Sequence, residues 1–411
     1  MSAGAPPAHY SWLYLGTYSQ GYRGRRPLSL ASDGMRWTNL LTATVITATT
    51  LVAGPAATAR DQLQRDADAI RALGITGVQA LVTGPGVRRV VTSGVADRDA
   101  GRPMPTSGYV RIASVRKALT ATVILQLAAE RRLSLGDTVE RWLPGVVAGN
   151  GNDGRRITLR MLLQNTSGIH DDLPGYTTPE EYLEQRYDVH TRDELIARAM
   201  RHEPDFAPGT GWGYSNTGIL LADAVIERVT GRPYAEAATA HLRLRDAVFT
   251  GVSPAMPEPH AVAYQVFPGD SLVDVTEQVS SDPDGIAAPL TELDRFFRAL
   301  LGGRLLPPAQ LAEMKRTVPV GGGVEEIWPD GRYGLGLVSR PLSCGGRRWG
   351  HDGGDGGYIT VTGTTADGGR FASVAMTTAL GDSLEHLIVQ QRAADKLVDD
   401  ALCSGRGGQH A

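Results

Sequence analysis

The sequence has very little lysine. Of its 41 basic residues three are lysines, Lys117, Lys315 and Lys396, and all the others are arginines. The formal net charge is only −3, with both signs interspersed, so the composition does not favour binding to nucleic acid or to an anionic membrane surface. A lysine kept in such a chain is informative, because a desolvated lysine amine can lose its proton and an arginine cannot.

The chain also lacks an apolar run long enough to span a membrane. Residues 35–59 have instead the three parts of a signal peptide: a basic start at Met35-Arg36, an apolar run from Leu40 to Val52, and small residues at Ala57-Thr58-Ala59. Residues 1–34 either precede the true start or lengthen its basic region. We therefore expect residues 1–59 to be a targeting region and the protein to be secreted; the alternative is a disordered tail on a cytoplasmic protein.

Cysteine is almost absent, with Cys344 and Cys403 alone. No group of Cys or His residues has metal-ligand spacing, so we expect no metal and no cofactor. In an exported protein the two cysteines would form a disulfide that closes a loop of about 59 residues, worth roughly 4 kcal/mol in the chain-entropy model. Two buried free thiols are the alternative.

The scarce lysine lies in a short motif, Ser114-Val115-Arg116-Lys117. The segment from Lys117 to Ala129 has no Gly or Pro and is apolar nearly all round, which predicts a buried helix with Ser114 at its N-terminus. Residues three apart share a helix face, so the amine can reach the hydroxyl. A simple helix cap beside a solvated lysine is the alternative for this motif alone.

Two further motifs lie downstream. The triplet Tyr214-Ser215-Asn216 follows Trp212 and precedes a second helical pattern. The stretch from His351 to Tyr358 is rich in glycine and leads into a strand-like alternation at 359–362. Singly they would be an aromatic turn and a hairpin; together and in this order they indicate one catalytic site.

With these three motifs the sequence resembles the penicillin-recognising serine hydrolases, which include D-alanyl-D-alanine carboxypeptidases, class C β-lactamases and related esterases and D-aminopeptidases. Their signatures, Ser-x-x-Lys, Tyr-x-Asn and a Lys- or His-x-Gly strand, match Ser114/Lys117, Tyr214/Asn216 and His351-Asp352-Gly353. The resemblance runs from about residue 60 to the end, and the tyrosine indicates the carboxypeptidase and class C branch.

The chemistry of these residues predicts their roles. Ser114 is the nucleophile that forms an acyl-enzyme, and Lys117 and Tyr214 share the general-base work. Asn216 donates its amide to the substrate and braces Lys117, while His351 orients the Tyr214 oxygen and the leaving group. The backbone N–H groups of Ser114 and Gly354 form the oxyanion hole. Gly353 and Gly354 let the substrate backbone approach closely, and Trp212 is a further candidate substrate-binding residue.

Asp352 departs from the family pattern, in which this position is usually a threonine that helps to hold the substrate's carboxylate. If the Asp352 side chain faces the cleft, it repels such a substrate and favours neutral esters or amides. Three upstream arginines, Arg340, Arg347 and Arg348, could offset this charge; the alternative is that they are ordinary surface residues of an arginine-rich chain.

Strand patterns at both ends of the chain and helical patterns in its middle indicate the fold class. We expect an α+β (α/β) fold of the β-lactamase/transpeptidase type, in which an antiparallel β-sheet is flanked by helices and joined to a mostly helical subdomain. The predicted domain covers residues 60–405, with the sheet part at about 60–125 and 285–405, the helical part at 126–284, and a tail at 406–411. Predicted strands are 77–83, 87–93, 360–363 and 370–377, and predicted helical stretches are 180–200, 217–230, 290–301 and 383–398.

The expected function is that of a secreted serine hydrolase, either a D-alanyl-D-alanine carboxypeptidase-type peptidase or a β-lactamase-related hydrolase. A carboxylesterase, a D-aminopeptidase and a slowly deacylating penicillin-binding sensor are the alternatives. The expected partner is a small molecule or peptide, namely a peptidoglycan stem peptide, a β-lactam or an ester.

Overall fold

A computed structural model describes residues 55–404 of the 411-residue chain. Most of the predicted targeting region and the C-terminal tail lie outside the described residues. Residues 55–59, the end of that region, belong to the first helix. No helix in the described part of the chain combines the length and the apolar character needed to cross a bilayer.

The helices occupy both ends and the middle of the chain. In chain order they are α1 Pro55–Arg71, α2 Arg116–Ala129, α3 Val139–Trp142, α4 Leu159–Gln164, α5 Pro179–Gln185, α6 Arg192–Ala199, α7 Asn216–Thr230, α8 Tyr234–Leu242, α9 Leu290–Leu301, α10 Pro308–Met314 and α11 Leu384–Cys403. Short 3₁₀ turns cover Ala113–Val115 and Val324–Glu326.

The strands are concentrated at the two ends of the described chain. They are β1 Gly77–Gly84, β2 Val87–Gly94, β3 Tyr109–Arg111, β4 Ala148–Gly149, β5 Asn152–Asp153, β6 Val248–Phe249, β7 Tyr264–Phe267, β8 Ser271–Asp274, β9 Ile286–Pro289, β10 Val318–Pro319, β11 Arg332–Tyr333, β12 Val338–Pro341, β13 Arg347–Gly350, β14 Gly353–Asp355, β15 Tyr358–Thr365, β16 Phe371–Met376 and β17 Thr378–Leu380.

The main sheet is antiparallel and joins strands from both ends of the chain. Within the described residues its order is β10-β11-β12-β13-β15-β16-β1-β2, and β14 also pairs with β15. The N-terminal strand β1 pairs with β16 in the register Ala80 opposite Val374. The predicted α+β fold, with an antiparallel sheet built from both chain ends, is confirmed.

Helices cover both faces of this sheet. On one face α1 and α11 bury a cluster that includes Ile70, Val78, Val361 and Leu397. On the other face α9 packs against β1 and β16, with Phe297 stacked on Phe371. The strands are buried on both faces, which explains why β15 and β16 are apolar or carry small hydroxyl side chains along their whole length.

Helix α2 runs through the middle of the molecule. Eleven of its fourteen residues are buried, and they include Thr120, Thr122 and Lys117. The threonine hydroxyls are satisfied by Asp223 and by the carbonyl of Ala118. The predicted buried helix from 117 to 129 is therefore present, one residue longer at its start, and it packs against the helices α7, α8 and α10.

Candidate active site

The three predicted motifs converge on one cleft. The cleft is lined by Ser114 and Lys117 at the start of α2, by Asn216 at the first position of α7, and by Gly354 on β14. The strand β14 runs beside the 3₁₀ turn that carries Ser114, because Gly353 has no side chain: a Cβ atom there would lie 2.3 Å from the carbonyl oxygen of Ile112.

Ser114 lies in an unusual backbone setting. The preceding Ala113 has φ of 44°, a left-handed conformation that non-glycine residues rarely adopt. Such strain occurs where the surrounding structure fixes it, commonly at functional sites. Here the turn presents the Ser114 hydroxyl to Lys117.

Lys117 contacts the predicted catalytic residues Ser114 and Tyr214 and the predicted substrate-binding residue Asn216. Its Nζ donates to Ser114 Oγ at 2.8 Å and to Asn216 Oδ1 at 2.6 Å, and it lies 4.8 Å from the centre of the Tyr214 ring. The side chain is 3 % exposed. Burial, and then the positive charge of Arg116, lower the pKa of Lys117 to about 7. A large fraction of this amine is therefore neutral at neutral pH and able to accept the serine proton.

Tyr214 is buried and interacts with the Ser114 hydroxyl. Burial raises the pKa of Tyr214 well above its ordinary value, and the contact with Ser114 opposes that shift only in part. The phenol is thus protonated in the resting site. Of the two groups predicted to share the general-base work, the structure favours Lys117 as the base and Tyr214 as a neutral group that passes a proton on.

A carboxylate that the sequence analysis did not single out holds Asn216. Asp171 Oδ1 accepts from the backbone N–H of Asn216 at 2.7 Å, and Asp171 Oδ2 accepts from Asn216 Nδ2 at 2.9 Å. Asp171 lies between the first and second motifs and belongs to neither. Only a non-local contact across 45 residues reveals it.

His351 lies behind the cleft and is fully buried. Its Nδ1 is 2.6 Å from the carbonyl oxygen of Asp352, and its Nε2 is 2.9 Å from the Tyr333 hydroxyl. Burial lowers the pKa of His351 to about 3, so the ring is neutral. Since a carbonyl only accepts, Nδ1 carries the proton and Tyr333 donates to Nε2.

This geometry corrects the role predicted for His351. Both of its ring nitrogens are engaged, so it does not hydrogen-bond the Tyr214 oxygen, and its ring lies 6.4 Å from that of Tyr214. The histidine supports the aromatic wall of the site. Tyr333, which the sequence analysis missed, is its hydroxyl partner.

Asp352 points away from the cleft, which corrects the expectation that it meets the substrate. Its carboxylate is buried and accepts two hydrogen bonds from Arg340 Nη2, at 2.8 and 2.9 Å, and others from Trp328 Nε1 and Gln391 Nε2. Of the two interpretations of the upstream arginines, compensation of the Asp352 charge is correct for Arg340, and a surface position is wrong for both Arg340 and Arg348. Arg340 and Arg348 are buried, and both bind Asp395 on α11.

Replacing Asp352 by threonine, the usual residue of the family, should therefore affect stability more than specificity. We expect the free energy of unfolding to fall by about 3–5 kcal/mol, because the buried Arg340 and Arg348 would then share Asp395 as their carboxylate partner and one buried positive charge would be left uncompensated. Activity should change by the same factor for anionic and neutral substrates. Chemical denaturation of Asp352→Thr beside the exposed control Asp99→Thr measures the first effect, and a larger gain for anionic substrates would contradict the orientation described here.

The remaining predicted residues divide between the cleft and its wall. Gly354 lines the cleft opposite Ser114, and their two N–H groups remain the predicted oxyanion hole. Gly353 is buried one residue back. Trp212 packs on Tyr333, with ring centres 5.7 Å apart, and is not among the cleft-lining residues.

Carboxylates dominate the rest of the cleft. Asp282 and Asp355 line it together with Arg116. Arg116 is buried and already paired with Asp223, at 2.8 Å, and with Asp282. Among the described residues that line this cleft, Lys117 is thus the one cation without a carboxylate partner at ion-pair distance, and it is the candidate base.

The described residues show no grouping of three or more His, Cys, Asp or Glu side chains placed to hold a metal ion. The two cysteines form a disulfide, Cys344–Cys403, as predicted.

Comparison with known proteins places the chain among serine hydrolases. A family model described as Beta-lactamase matches residues 57–395. The esterase EstB from Burkholderia gladioli is 31% identical over 314 residues, which make up 67% of this chain and 77% of the esterase. Penicillin-binding protein 4* of Bacillus subtilis is 32% identical over 143 residues, 35% of this chain and 30% of that protein. The structure of a D-stereospecific amidohydrolase from Streptomyces has 39% identity and a TM-score of 0.71, covering 80% of this chain and 98% of that one.

Proposed function

Because the chain belongs to the beta-lactamase family of serine hydrolases, we propose that it is an amidohydrolase that cleaves amides of D-amino acids carrying a free α-ammonium group. The observation that carries the proposal is the charge of the cleft. Asp282 lines it with a side chain 26% exposed and shares its partner Arg116 with Asp223, so two carboxylates lie against one guanidinium there. Carboxylates in a partly desolvated cleft attract an ammonium group and repel a carboxylate.

The same observation disfavours the D-alanyl-D-alanine carboxypeptidase and β-lactamase alternatives. Their substrates bring a free carboxylate, which in the family is held with the help of the third-motif threonine. Arg116 is committed to Asp223 and Asp282, and the third motif offers the buried Asp352 in place of a threonine. The likeness to a D-stereospecific amidohydrolase supports the choice of substrate.

The proposed reaction begins with proton transfer from Ser114 Oγ to neutral Lys117 Nζ, while Oγ bonds to the amide carbonyl carbon. The N–H groups of Ser114 and Gly354 stabilise the oxyanion of the tetrahedral intermediate. Its C–N bond breaks as the Tyr214 phenol gives its proton to the departing amine and receives the Lys117 proton in return. Water then bonds to the acyl carbon as Lys117 Nζ takes one of its protons; the ester C–O bond breaks, the Lys117 proton returns to Ser114 Oγ, and the free amino acid leaves.

Asn216 contributes to binding in this scheme. One of its two amide hydrogens is bound by Asp171. The other is directed to the carbonyl or side chain of the substrate's acyl part, and the ammonium group lies on the side of Asp282.

A matched substrate panel tests the proposal. We expect kcat/KM for D-phenylalanine amide to exceed that for its N-acetyl derivative by about tenfold or more, since acetylation removes a charge-assisted hydrogen bond. The L-enantiomer should be slower still. The ratio between free and acetylated amides should fall towards one in Asp282→Asn.

The panel also contains substrates of the alternative enzyme classes. A short p-nitrophenyl ester, a chromogenic cephalosporin and an N-acylated peptide ending in D-Ala-D-Ala are assayed beside the amides. If the N-acylated peptide or the cephalosporin is the best substrate, or if acetylation of the amide leaves kcat/KM unchanged, the amidohydrolase proposal is wrong. If the ester alone is turned over, the enzyme is a carboxylesterase.

We also propose that the protein is exported. The basic and apolar segments between Met35 and Val52 support this proposal. The disulfide Cys344–Cys403 supports it independently, because disulfides persist mainly in oxidising compartments.

A further inference from the structure

The Asn216 side chain lies between two groups of opposite hydrogen-bonding character. On one side Lys117 Nζ is 2.6 Å from Oδ1. On the other side Asp171 Oδ2 is 2.9 Å from Nδ2, while Asp171 Oδ1 accepts from the backbone N–H groups of Asn216, at 2.7 Å, and Thr217, at 3.4 Å. Asp171 thus holds both the start of α7 and the amide at its first position.

These contacts fix which end of the amide faces the base. Burial raises the pKa of Asp171, and the N–H groups that its oxygens accept from, together with Lys117, favour the ionised form. An ionised carboxylate only accepts hydrogen bonds, so the Asp171 side must receive the Nδ2 hydrogens. A protonated lysine only donates, so the Lys117 side must offer the oxygen. Without the carboxylate, the amide is free to rotate and to present its nitrogen to Lys117.

We propose that Asp171 is a positioning residue of the catalytic site, which fixes the Asn216 amide with its oxygen towards Lys117 and adds a negative charge behind it. Through Asn216 it places the Lys117 amine against Ser114 and stabilises the protonated amine that forms when Ser114 gives up its proton. The proposal concerns the activation of Ser114, so it applies to any acyl substrate and does not depend on the amidohydrolase function.

The charge of Asp171 acts on Lys117 together with several other groups. The titratable groups that interact electrostatically with one or the other of these two residues are Arg116, His170, Tyr214, Asp223, Asp282 and His351. Burial and Arg116 lower the pKa of Lys117, whereas Asp282, Asp171 and Asp223 raise it. Loss of the Asp171 charge should therefore lower this pKa further.

A role limited to capping α7 is the alternative, because Asp171 also binds two backbone N–H groups of that helix. A cap contributes to stability and leaves the pH dependence of the reaction unchanged. The acid limb of kcat/KM, which reports the free enzyme's base, separates the two roles.

The first variant is Asp171→Asn. Its amide oxygen can still accept from the backbone of α7, but its NH₂ group faces Asn216 and should turn the Asn216 oxygen towards itself. We expect the acid limb, near pH 7 in the parent enzyme because of Lys117, to move about one unit to lower pH. Above the limb, kcat/KM should be lower by about tenfold, since Lys117 is less well placed.

The second variant exchanges the two side chains, Asp171→Asn with Asn216→Asp. The hydrogen bonds are restored, with the carboxylate now against Lys117 and the amide against the α7 backbone. The pKa of Lys117 should then rise, so the acid limb should move to higher pH than in the parent enzyme. The two variants are thus expected to move the limb in opposite directions.

The matched control is Asp172→Asn, which removes the same charge one residue away, where Asp172 binds Arg198 and His202. Its acid limb should stay at the parent position. The readout is the rate of acylation by a short p-nitrophenyl ester and by a fluorophosphonate probe across pH, beside a thermal unfolding measurement for each variant.

Coincident acid limbs for Asp171→Asn and the parent enzyme, with only a lower melting temperature, would show that Asp171 is a helix cap and that the proposal is wrong. If that single variant does not fold, the exchanged pair decides: an upward shift supports the proposal and an unmoved limb overturns it. Neutron diffraction on the unmodified protein gives an independent result. Two deuterons on the Asn216 atom beside Asp171 support the proposal, and two on the atom beside Lys117 contradict it.

Discussion

Ser114→Ala should abolish hydrolysis of every substrate and all covalent labelling by a fluorophosphonate probe. The loss in kcat should reach about 10⁴-fold or more, because removal of a serine nucleophile leaves only binding and the oxyanion hole. Among the residues that the structure describes, the Ser114 hydroxyl contacts the catalytic groups Lys117 and Tyr214, so its removal should leave the variant folded. Intact-mass analysis of the labelled protein measures the loss.

A second serine in the same cleft provides the control. Ser281 lines the site with Ser114. The probe should still add to Ser281→Ala with the same stoichiometry. Labelling that persists in Ser114→Ala and disappears in Ser281→Ala would show that Ser281 is the nucleophile and that Ser114 is not.

Lys117→Arg should have the second largest effect. We expect kcat to fall by about 10³-fold, because the guanidinium keeps the positive charge but cannot accept the Ser114 proton. Burial of the site leaves no bulk water to replace the base, since Lys117 is 3% exposed. Steady-state kinetics with the best substrate of the panel, beside circular dichroism of the variant, measure this effect.

The chain's two other lysines are natural controls for the same substitution. Lys396 is mostly exposed and pairs with Asp66 and Asp400, and Lys315 donates to a backbone carbonyl. Lys396→Arg and Lys315→Arg should retain the parent kcat. If kcat of Lys117→Arg stays within a few-fold of the parent value, Lys117 is not the general base.

Local patterns in the sequence predicted local structure well. The contact of Ser114 with Lys117 follows from a three-residue spacing at a helix start, and the structure has it. Helix 290–301 matches α9 at both ends. The predicted helical stretch 180–200 is two helices, because Thr191 and Glu194 form a capping box that begins a new helix at Arg192.

Contacts made by tertiary structure were the ones that the sequence analysis missed or misplaced. Asp352 has an unfavourable charge only until Arg340, on the neighbouring strand β12, and Gln391, on α11, are brought beside it. Asp171 belongs to no motif, and its importance comes from backbone groups at the start of α7. The contacts of Asp352 and of Asp171 cannot be predicted from sequence spacing, because only the folded chain brings their partners beside them.

The pairing of β1 with β16 also sets the order in which activity can arise as the chain is made. Residues Val78–Thr83 pair with residues Phe371–Met376, which are synthesised nearly a whole domain later, so the central sheet closes only then. The oxyanion strand β14 and the α11 side chains behind it come from the same late segment. Ser114 and Lys117 are thus synthesised early but have no complete site until the last helix has docked. A chain that is still emerging from the ribosome therefore carries the nucleophile and the base but has no hydrolase activity.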